Sequence, residues 1–272
     1  MRLRPRLHFP LVIVFLAVAY FPVHHFWHKY IWHDSRHPNA LWHIISQKCL
    51  PDQEKNGQPA PCSQVDEKQG FVVLKDMEGP LQYLLMPTER ITGIESPALL
   101  EDRTPNFFAQ AWQARHFMAD KYGKPIDDSN ISLAINSQFG RSQNQMHIHI
   151  SCLLPKVKTQ LSDEAGQIGY RWQELPEKLK GHTYLARKVS PAELSEKGAF
   201  RLLADGVPEA RQKMGHYGLA MVSLKGGDFL LLANKRSLLG LNDASTEEIQ
   251  DHKCTVLDPI PPYEKNPPIN VQ

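Results

Sequence analysis

An α+β domain folded around an antiparallel sheet is predicted for residues 40–258, on three observations. Two pairs of strand-like runs flank turn signals: Phe71–Asp76 with Leu81–Pro87 across Met77-Glu-Gly-Pro80, and Gly218–Leu224 with Phe229–Ala233 across Lys225-Gly-Gly-Asp228. A third pair, Asn130–Asn136 and Gln145–Cys152, is joined by the turn Ser137–Gln143. Helical segments fall between these pairs in no βαβ order, which favours antiparallel pairing over a doubly wound parallel sheet.

The elements follow in chain order. Residues 40–66 read as a helix start followed by a loop held between Cys49 and Cys62. Pro105 opens a long helix over Asn106–Tyr122, with Phe108, Ala111, Trp112, Phe117 and Met118 on one apolar face; Gly123 stops it and Pro125 follows. After Pro155 the chain becomes more helical and charged. Tyr184–Arg187 is a short strand candidate, Glu209–Met214 a helix and Thr246–His252 a capped helical turn. From residue 259 the Pro-rich tail lacks the apolar pattern of a packed element and is expected to be disordered or extended.

Residues 1–39 read as a membrane signal. Arg2, Arg4 and Arg6 precede the uncharged run Phe9–Val23, and Phe26, Trp27, Tyr30 and Trp32 crowd its far end, as at a bilayer interface. The charge bias puts the N-terminus in the cytoplasm and the body across the membrane. Ala17-Val-Ala19 is a candidate cleavage site for a removed signal peptide. Apolar residues continuing to Phe26 favour an uncleaved single-pass anchor instead, since a span needs about 20 residues.

The chain carries 42% hydrophobic residues and a net charge of +2, so no basic field points to nucleic acid. Four cysteines in an exported chain suggest disulfides rather than reduced thiols, and no C-x-x-C spacing suggests zinc. Three connectivities are open; Cys49 with Cys62 and Cys152 with Cys254 is favoured, because the first closes a short Pro- and Gly-containing loop without tertiary help.

Side chains alternate along a strand, so Met146, Ile148, Ile150 and Cys152 form an apolar face and Gln145, His147, His149 and Ser151 a polar one. Two imidazoles and two further hydrogen-bonding groups side by side fit a catalytic site; the competing readings are a His-x-His metal site and a solvated strand face. The preceding Gly140-Arg-Ser-Gln-Asn144 offers a glycine, a cation and donors where an anion could rest. A neutral imidazole beside such donors can attack phosphorus and form a covalent intermediate that water opens. Asn136, Arg141, Gln143 and Ser151 are the candidate substrate contacts. His116, His182 and His216 read as ordinary core or surface histidines, Trp112 as core and Lys75 as solvated.

These residues resemble the histidine-triad superfamily, whose motif is His-φ-His-φ-His-φ-φ with φ apolar. More closely, the chain is similar to the CDP-diacylglycerol pyrophosphatases, a membrane-anchored bacterial branch. The similarity lies in Gly79–Pro87, Thr104–Phe108, Ser132–Asn136, His147–Cys152, Tyr217–Val222 and Glu247–His252, and spans about residues 41 to 257. It implies a histidine-triad-like sheet with flanking helices and hydrolysis of CDP-diacylglycerol to CMP and phosphatidate without a metal or other cofactor. It also implies a lipid nucleotide drawn from the bilayer and a catalytic domain on the periplasmic side of the inner membrane. His147 matches the middle, nucleophilic histidine and His149 the third. Gln145 replaces the first histidine, leaving open what sets the tautomer of His147. A shifted register, with His147 first and Ser151 third, would make His149 the nucleophile; the spacing from Gly140 favours the first register. The rival readings are a hydrolase or transferase of soluble nucleotide diphosphates, an exported metal-binding protein, and a tethered interaction protein. No feature specifies an oligomeric state.

Overall fold

The computed structural model describes residues 37–257. The leader and the Pro-rich tail lie outside the described residues, and with them the anchor, the cleavage site and the tail's expected extension. Among the described residues no helix is long and apolar enough to cross a membrane.

Among the described residues ten strands form one sheet, in which every pairing is antiparallel. They are β1 (Gln64–Asp66), β2 (Phe71–Lys75), β3 (Tyr83–Pro87), β4 (Ile131–Ile135), β5 (Ile148–Leu153), β6 (Gln173–Glu174), β7 (Tyr184–Val189), β8 (Tyr217–Ser223), β9 (Phe229–Lys235) and β10 (Gln250–Asp251). Their order is β1-β2-β3-β5-β4-β8-β9-β7-β6. β5 is central: β4 runs along one side, while the other is shared between β3, opposite Ile148–Ile150, and β10, opposite Cys152 and Leu153. The α+β class and both hairpins are as the turn signals predict.

One face carries the main core. Met146, Ile148, Ile150 and Cys152 pack there with Leu133, Leu219 and Met221, under α1 (Phe107–Ala114) and α2 (His116–Tyr122). The predicted single helix breaks at Arg115, whose guanidinium donates to the Trp112 carbonyl from Nη1 and to the Asp128 carboxylate from Nε and Nη2. Asn106 caps the first piece by accepting from Ala109 N–H, and Gly123 ends the second in the left-handed conformation its φ of 77° requires. The helix predicted over Glu209–Met214 is replaced by two 3-10 turns, because Glu209 itself sits at φ 63° and cannot propagate a helix. The helical residues of that region lie earlier, at Pro191–Lys197 and Ala199–Gly206. The span between Cys49 and Cys62 is not all loop: Leu50–Asn56 is helical.

The opposite face is divided. Strand register sets Leu74, Leu84, His149, Ala134, Ala220, Leu232 and Ala186 side by side across the sheet. Leu74 and Leu84 belong to a cluster with Ile44 and Ile45 of the N-terminal helical segment. Ala134, Ala220 and Leu232 belong to another with Val157 and Leu161 of the helix Pro155–Glu164. His149 is thus the polar member of an otherwise apolar row, between two packed clusters.

Both favoured cysteine pairs are disulfides, Cys49–Cys62 and Cys152–Cys254. The second ties the segment after β10 to the strand that carries the histidines.

Candidate active site

β5 starts at Ile148, so Gln145, Met146 and His147 approach it as irregular chain. That approach is bound to the loop leaving β3. Met146 N–H donates to the Ile91 carbonyl at 2.6 Å, and the Gln145 amide donates to the carbonyls of Pro87 and Glu89 at 3.2 and 3.0 Å. Two other residues of the predicted phosphate turn are engaged nearby. Gln143 accepts from Leu41 N–H at 3.3 Å, and Arg141 grips the Glu95 carboxylate with both terminal nitrogens, at 2.5 and 2.7 Å. Arg141 lies so close over Gly93 that a Cβ there would meet its guanidinium. The Arg141 pair holds the Glu95 carboxyl below its usual range, although burial pulls the other way.

His147 and His149 do come together, with ring centroids 4.8 Å apart in a T-shaped arrangement and exposures of 7% and 6%. His147 Nδ1 lies 2.6 Å from its own neighbour's backbone carbonyl, that of Gln145. A carbonyl only accepts, so Nδ1 carries the proton and Nε2 keeps its lone pair. Burial first, and repulsion from His149 second, lower the His147 pKa to about 4 against the partial opposition of the Gln145 hydrogen bond, Glu247 and Asp76. The ring is therefore neutral at neutral pH.

His149 is held from the far end of the chain. Its Nδ1 lies 3.3 Å from Glu247 Oε1, and Gln82 Nε2 approaches the same nitrogen at 3.3 Å while donating to Asp76 Oδ2 at 2.5 Å. A carboxylate only accepts, which assigns the Nδ1–H to Glu247. The other nitrogen, Nε2, is buried without a hydrogen-bond partner, as are Ser151 Oγ, Gln82 Oε1 and Gln250 Oε1 around it. Gln250 is joined to the same spot by donating to the His149 carbonyl and to Ser132 Oγ, both at 3.2 Å. Buried polar atoms without partners are uncommon; of these four, Ser151 Oγ can donate to a ligand oxygen, whereas the two amide oxygens can only accept.

Glu247 lies in the 3-10 turn Thr246–Ile249, which is anchored by Thr246 Oγ1 donating to the Ile135 carbonyl at 2.8 Å. The turn predicted here is present, but Ser245 does not cap it with its side chain. Asn136 clamps the glutamate at both ends: its Nδ2 donates to Glu247 Oε2 at 3.0 Å and its Oδ1 accepts from Glu247 N–H at 3.1 Å. His252 Nε2 lies 3.1 Å from Glu247 Oε1. Burial alone would raise the Glu247 pKa; attraction from His149 and hydrogen bonds from His252 and Asn136 overcome it and hold the carboxyl far below its usual range. The Glu247 hydrogen bond in turn raises His252, against burial and with help from the charges of Glu247, Asp76 and Glu78. The His252 backbone is packed against Gly79, whose φ of 65° and lack of a Cβ permit the approach.

Sequence reasoning thus identified the two imidazoles and missed Glu247, His252 and Gln82. The spacing of Glu247 and His252 carries no strand or helix signature, and each reaches the site from a different element. Asn136, expected as a substrate contact, has both ends of its amide on Glu247. Lys75, expected to be solvated, is half-buried with Nζ donating to the carbonyls of Asp76 and Gly79, and desolvation lowers its pKa to about 8 against the pull of Asp76. His116 is exposed beside Asp120, His182 bonds Glu248, and Trp112 lies in the core. Among the described residues, no group of three or more His, Cys, Asp and Glu converges in a metal-holding arrangement.

A family model described as CDP-diacylglycerol pyrophosphatase matches residues 36–258. The chain is also similar to a CDP-diacylglycerol pyrophosphatase of Yersinia pestis, at 57% identity over 223 residues, covering 82% of this chain and 86% of the relative. The family model spans the sheet, both disulfides and every residue of the histidine site, and the chain belongs to the CDP-diacylglycerol pyrophosphatase family.

Proposed function

We propose that His147 Nε2 is the nucleophile with which this protein hydrolyses CDP-diacylglycerol to CMP and phosphatidate. The single observation that carries this assignment is the 2.6 Å bond from His147 Nδ1–H to the Gln145 carbonyl. It aims a lone pair from Nε2 on a ring kept neutral by burial. Because the lock is a backbone carbonyl, it needs no histidine at position 145, and the departure from the triad pattern leaves the tautomer of His147 under control.

In the first step Nε2 attacks the cytidine-bearing phosphorus. The Nε2–P bond forms, the phosphoanhydride P–O bond breaks, and phosphatidate leaves with that electron pair. The cytidylyl-imidazolium keeps its Nδ1–H on Gln145. In the second step water attacks the same phosphorus and gives its proton to bulk solvent, the Nε2–P bond breaks with its electron pair returning to Nε2, and CMP departs. His149, oriented by Glu247, sets its unpartnered Nε2 beside the reacting phosphorus, and the Ser151 hydroxyl on the same face can donate to a phosphoryl oxygen. Arg141, Gln143 and Asn136 contribute by bracing the site's frame. The histidine-triad reading draws on His149 in the central antiparallel strand β5 and on His147 at its entrance, their ring centroids 4.8 Å apart.

The membrane context is part of the same reading. The basic and apolar leader supports a single-pass anchor in the bacterial inner membrane, with the catalytic domain on the periplasmic side, where both disulfides can persist.

The test is CMP release from CDP-diacylglycerol in detergent micelles by the full chain and by His147→Asn and His149→Asn, with trapping of label from the cytidine-bearing phosphorus. Wild type should yield an acid-labile, base-stable adduct, and His147→Asn neither adduct nor CMP. An adduct that survives in His147→Asn and vanishes in His149→Asn would assign the nucleophile to His149.

A further inference from the structure

The loop between β9 and the Glu247 turn has surface chemistry that hydrolysis at His147 does not use. Leu238, Leu239 and Leu241 are 71%, 101% and 86% exposed, within a six-residue loop from Ser237 to Asn242. Single exposed leucines are ordinary, but three at one tip are not. The loop is built to hold them out. Ser237 and Asn242 exchange both backbone hydrogen bonds at 2.9 Å, and Ser237 Oγ accepts from Gly240 N–H at 3.1 Å. Beneath them Asn242 Nδ2 donates to Asn234 Oδ1 at 2.6 Å and ties the base to β9. Leu241 sits at φ 49°, a conformation leucine rarely adopts, with its side chain in solvent rather than folded back on the protein.

The base of the loop is basic and aromatic. Lys235 is exposed, and the Arg236 guanidinium lies over the ring of Phe139 at 3.6 Å, with Phe139 itself 38% exposed. An apolar tip above a collar of lysine, arginine and an aromatic ring matches the depth profile of a phospholipid leaflet, with acyl chains for the leucines and anionic headgroups for the cations. A second protein copy is a poorer occupant, because three side chains fall well short of the about 800 Å² that each partner of a stable interface buries.

We propose that the Leu238–Leu241 loop inserts into the lipid bilayer and docks the catalytic domain on the membrane that supplies its substrate. The inference rests on the reading that the substrate is a bilayer lipid, and it adds where the domain meets that bilayer. From Leu241 to Glu247 is six residues, a path of at most about 20 Å of extended chain. Insertion therefore holds the carboxylate that orients His149 close to the headgroup layer. This is a contact separate from the leader: the leader would keep the chain at the membrane, and the loop would turn the site toward it.

The experiment uses the full chain reconstituted in vesicles of phosphatidylcholine and phosphatidylglycerol, without CDP-diacylglycerol. Both native cysteine pairs are disulfides, so one introduced thiol takes an environment-sensitive fluorophore. Label at Leu239→Cys should be quenched by lipids bearing a spin label on the acyl chain, and label at the exposed Lys124→Cys should not. Equal quenching at the two positions would overturn the proposal. So would an unquenched position 239 that oxidises readily to a disulfide-linked dimer, which would give the tip to a second copy. These readouts stand even if the enzyme proves inactive on CDP-diacylglycerol, so failure of the insertion and failure of the substrate assignment are distinguishable. As a second arm, replacing Leu238, Leu239 and Leu241 together with Ser should raise KM for vesicle-borne CDP-diacylglycerol at least about tenfold, given the apolar area withdrawn from lipid. Turnover of a short-chain, water-dispersed analogue should be unchanged; an equal loss on both substrates would count the loop as merely structural.

Discussion

Nδ1 of His149 and Oε1 of Glu247 lie 3.3 Å apart, joining the central strand to a turn that the chain reaches only near its end. The same carboxylate is clamped by Asn136 and shared with His252, so three elements agree on the orientation of one imidazole. Partners that orient metal-bound histidines are worth about 10- to 100-fold in affinity or activity, and a carboxylate orienting a free imidazole is expected to weigh similarly. Glu247→Gln should therefore lower kcat for CMP release by about that factor, with KM little changed, since the amide keeps the shape but loses the charge facing His149. Steady-state kinetics on micellar substrate read this directly; a rise in KM alone would assign Glu247 to binding.

Gln145→Ala separates the side chain from the backbone at that position. The lost side-chain bonds to the Pro87 and Glu89 carbonyls should cost about 1–3 kcal/mol of stability, visible as a lower urea midpoint. The carbonyl that locks His147 remains, so kcat at neutral pH should stay within about threefold of wild type under conditions where the variant is folded. A collapse in kcat with normal stability would show that the amide itself takes part in the reaction.

The pH profile should be displaced on both sides. With His147 lowered to about 4, kcat/KM should persist through pH 5–6, where an ordinary histidine nucleophile is already protonated, and fall only toward pH 4. His252 is shifted upward, so loss of its proton should produce a decline above, not at, the usual histidine value. The same shift of His147 bears on stability. Its folded pKa lies below its unfolded value, so the unfolded chain binds the proton first, and stability falls as pH drops from about 6.5 to about 4, by about 3 kcal/mol. His252 has the opposite sign: its contribution is complete below about 6.5 and is lost as pH rises through the folded value. Denaturation of His147→Asn between pH 4 and 7 should show a shallower acid-side slope than wild type, the remainder coming from carboxylates such as Glu247.

The two disulfides should differ in weight. Cys152 and Cys254 close 102 residues and Cys49 and Cys62 only 13, so on the chain-entropy account removing the longer link destabilises by about 2 kcal/mol more. Cys152→Ala with Cys254→Ala should also reduce kcat, since it releases the chain immediately after His252 from the histidine strand. Urea midpoints and CMP release for the two double variants test both statements; equal effects would mean that β10 and the Glu247 turn hold their place without the link.

What could be read along the chain is what depends on neighbours in sequence. Alternation fixed the faces of the histidine strand, turn residues marked the two hairpins, and the apolar stripe of Asn106–Tyr122 marked its helical region, though Arg115 divides it through a bond to Asp128 that no local pattern announces. The expected pairing of His147 with His149 needed only a strand period of two. Their environment did not follow from any period. Glu247 and Gln82 meet at His149, and Asn136 and His252 at Glu247, because β3, β4 and β10 flank β5, and that order is a product of sheet topology. Likewise Arg141 and Gln143 look like phosphate donors from their composition alone, yet tertiary contacts give them Glu95 and Leu41 as partners. Residue type and local spacing determined which atoms can do chemistry in this protein; the long-range pairing of strands decided which of them share a buried space, and so which carry a lone pair or an unpartnered nitrogen into it.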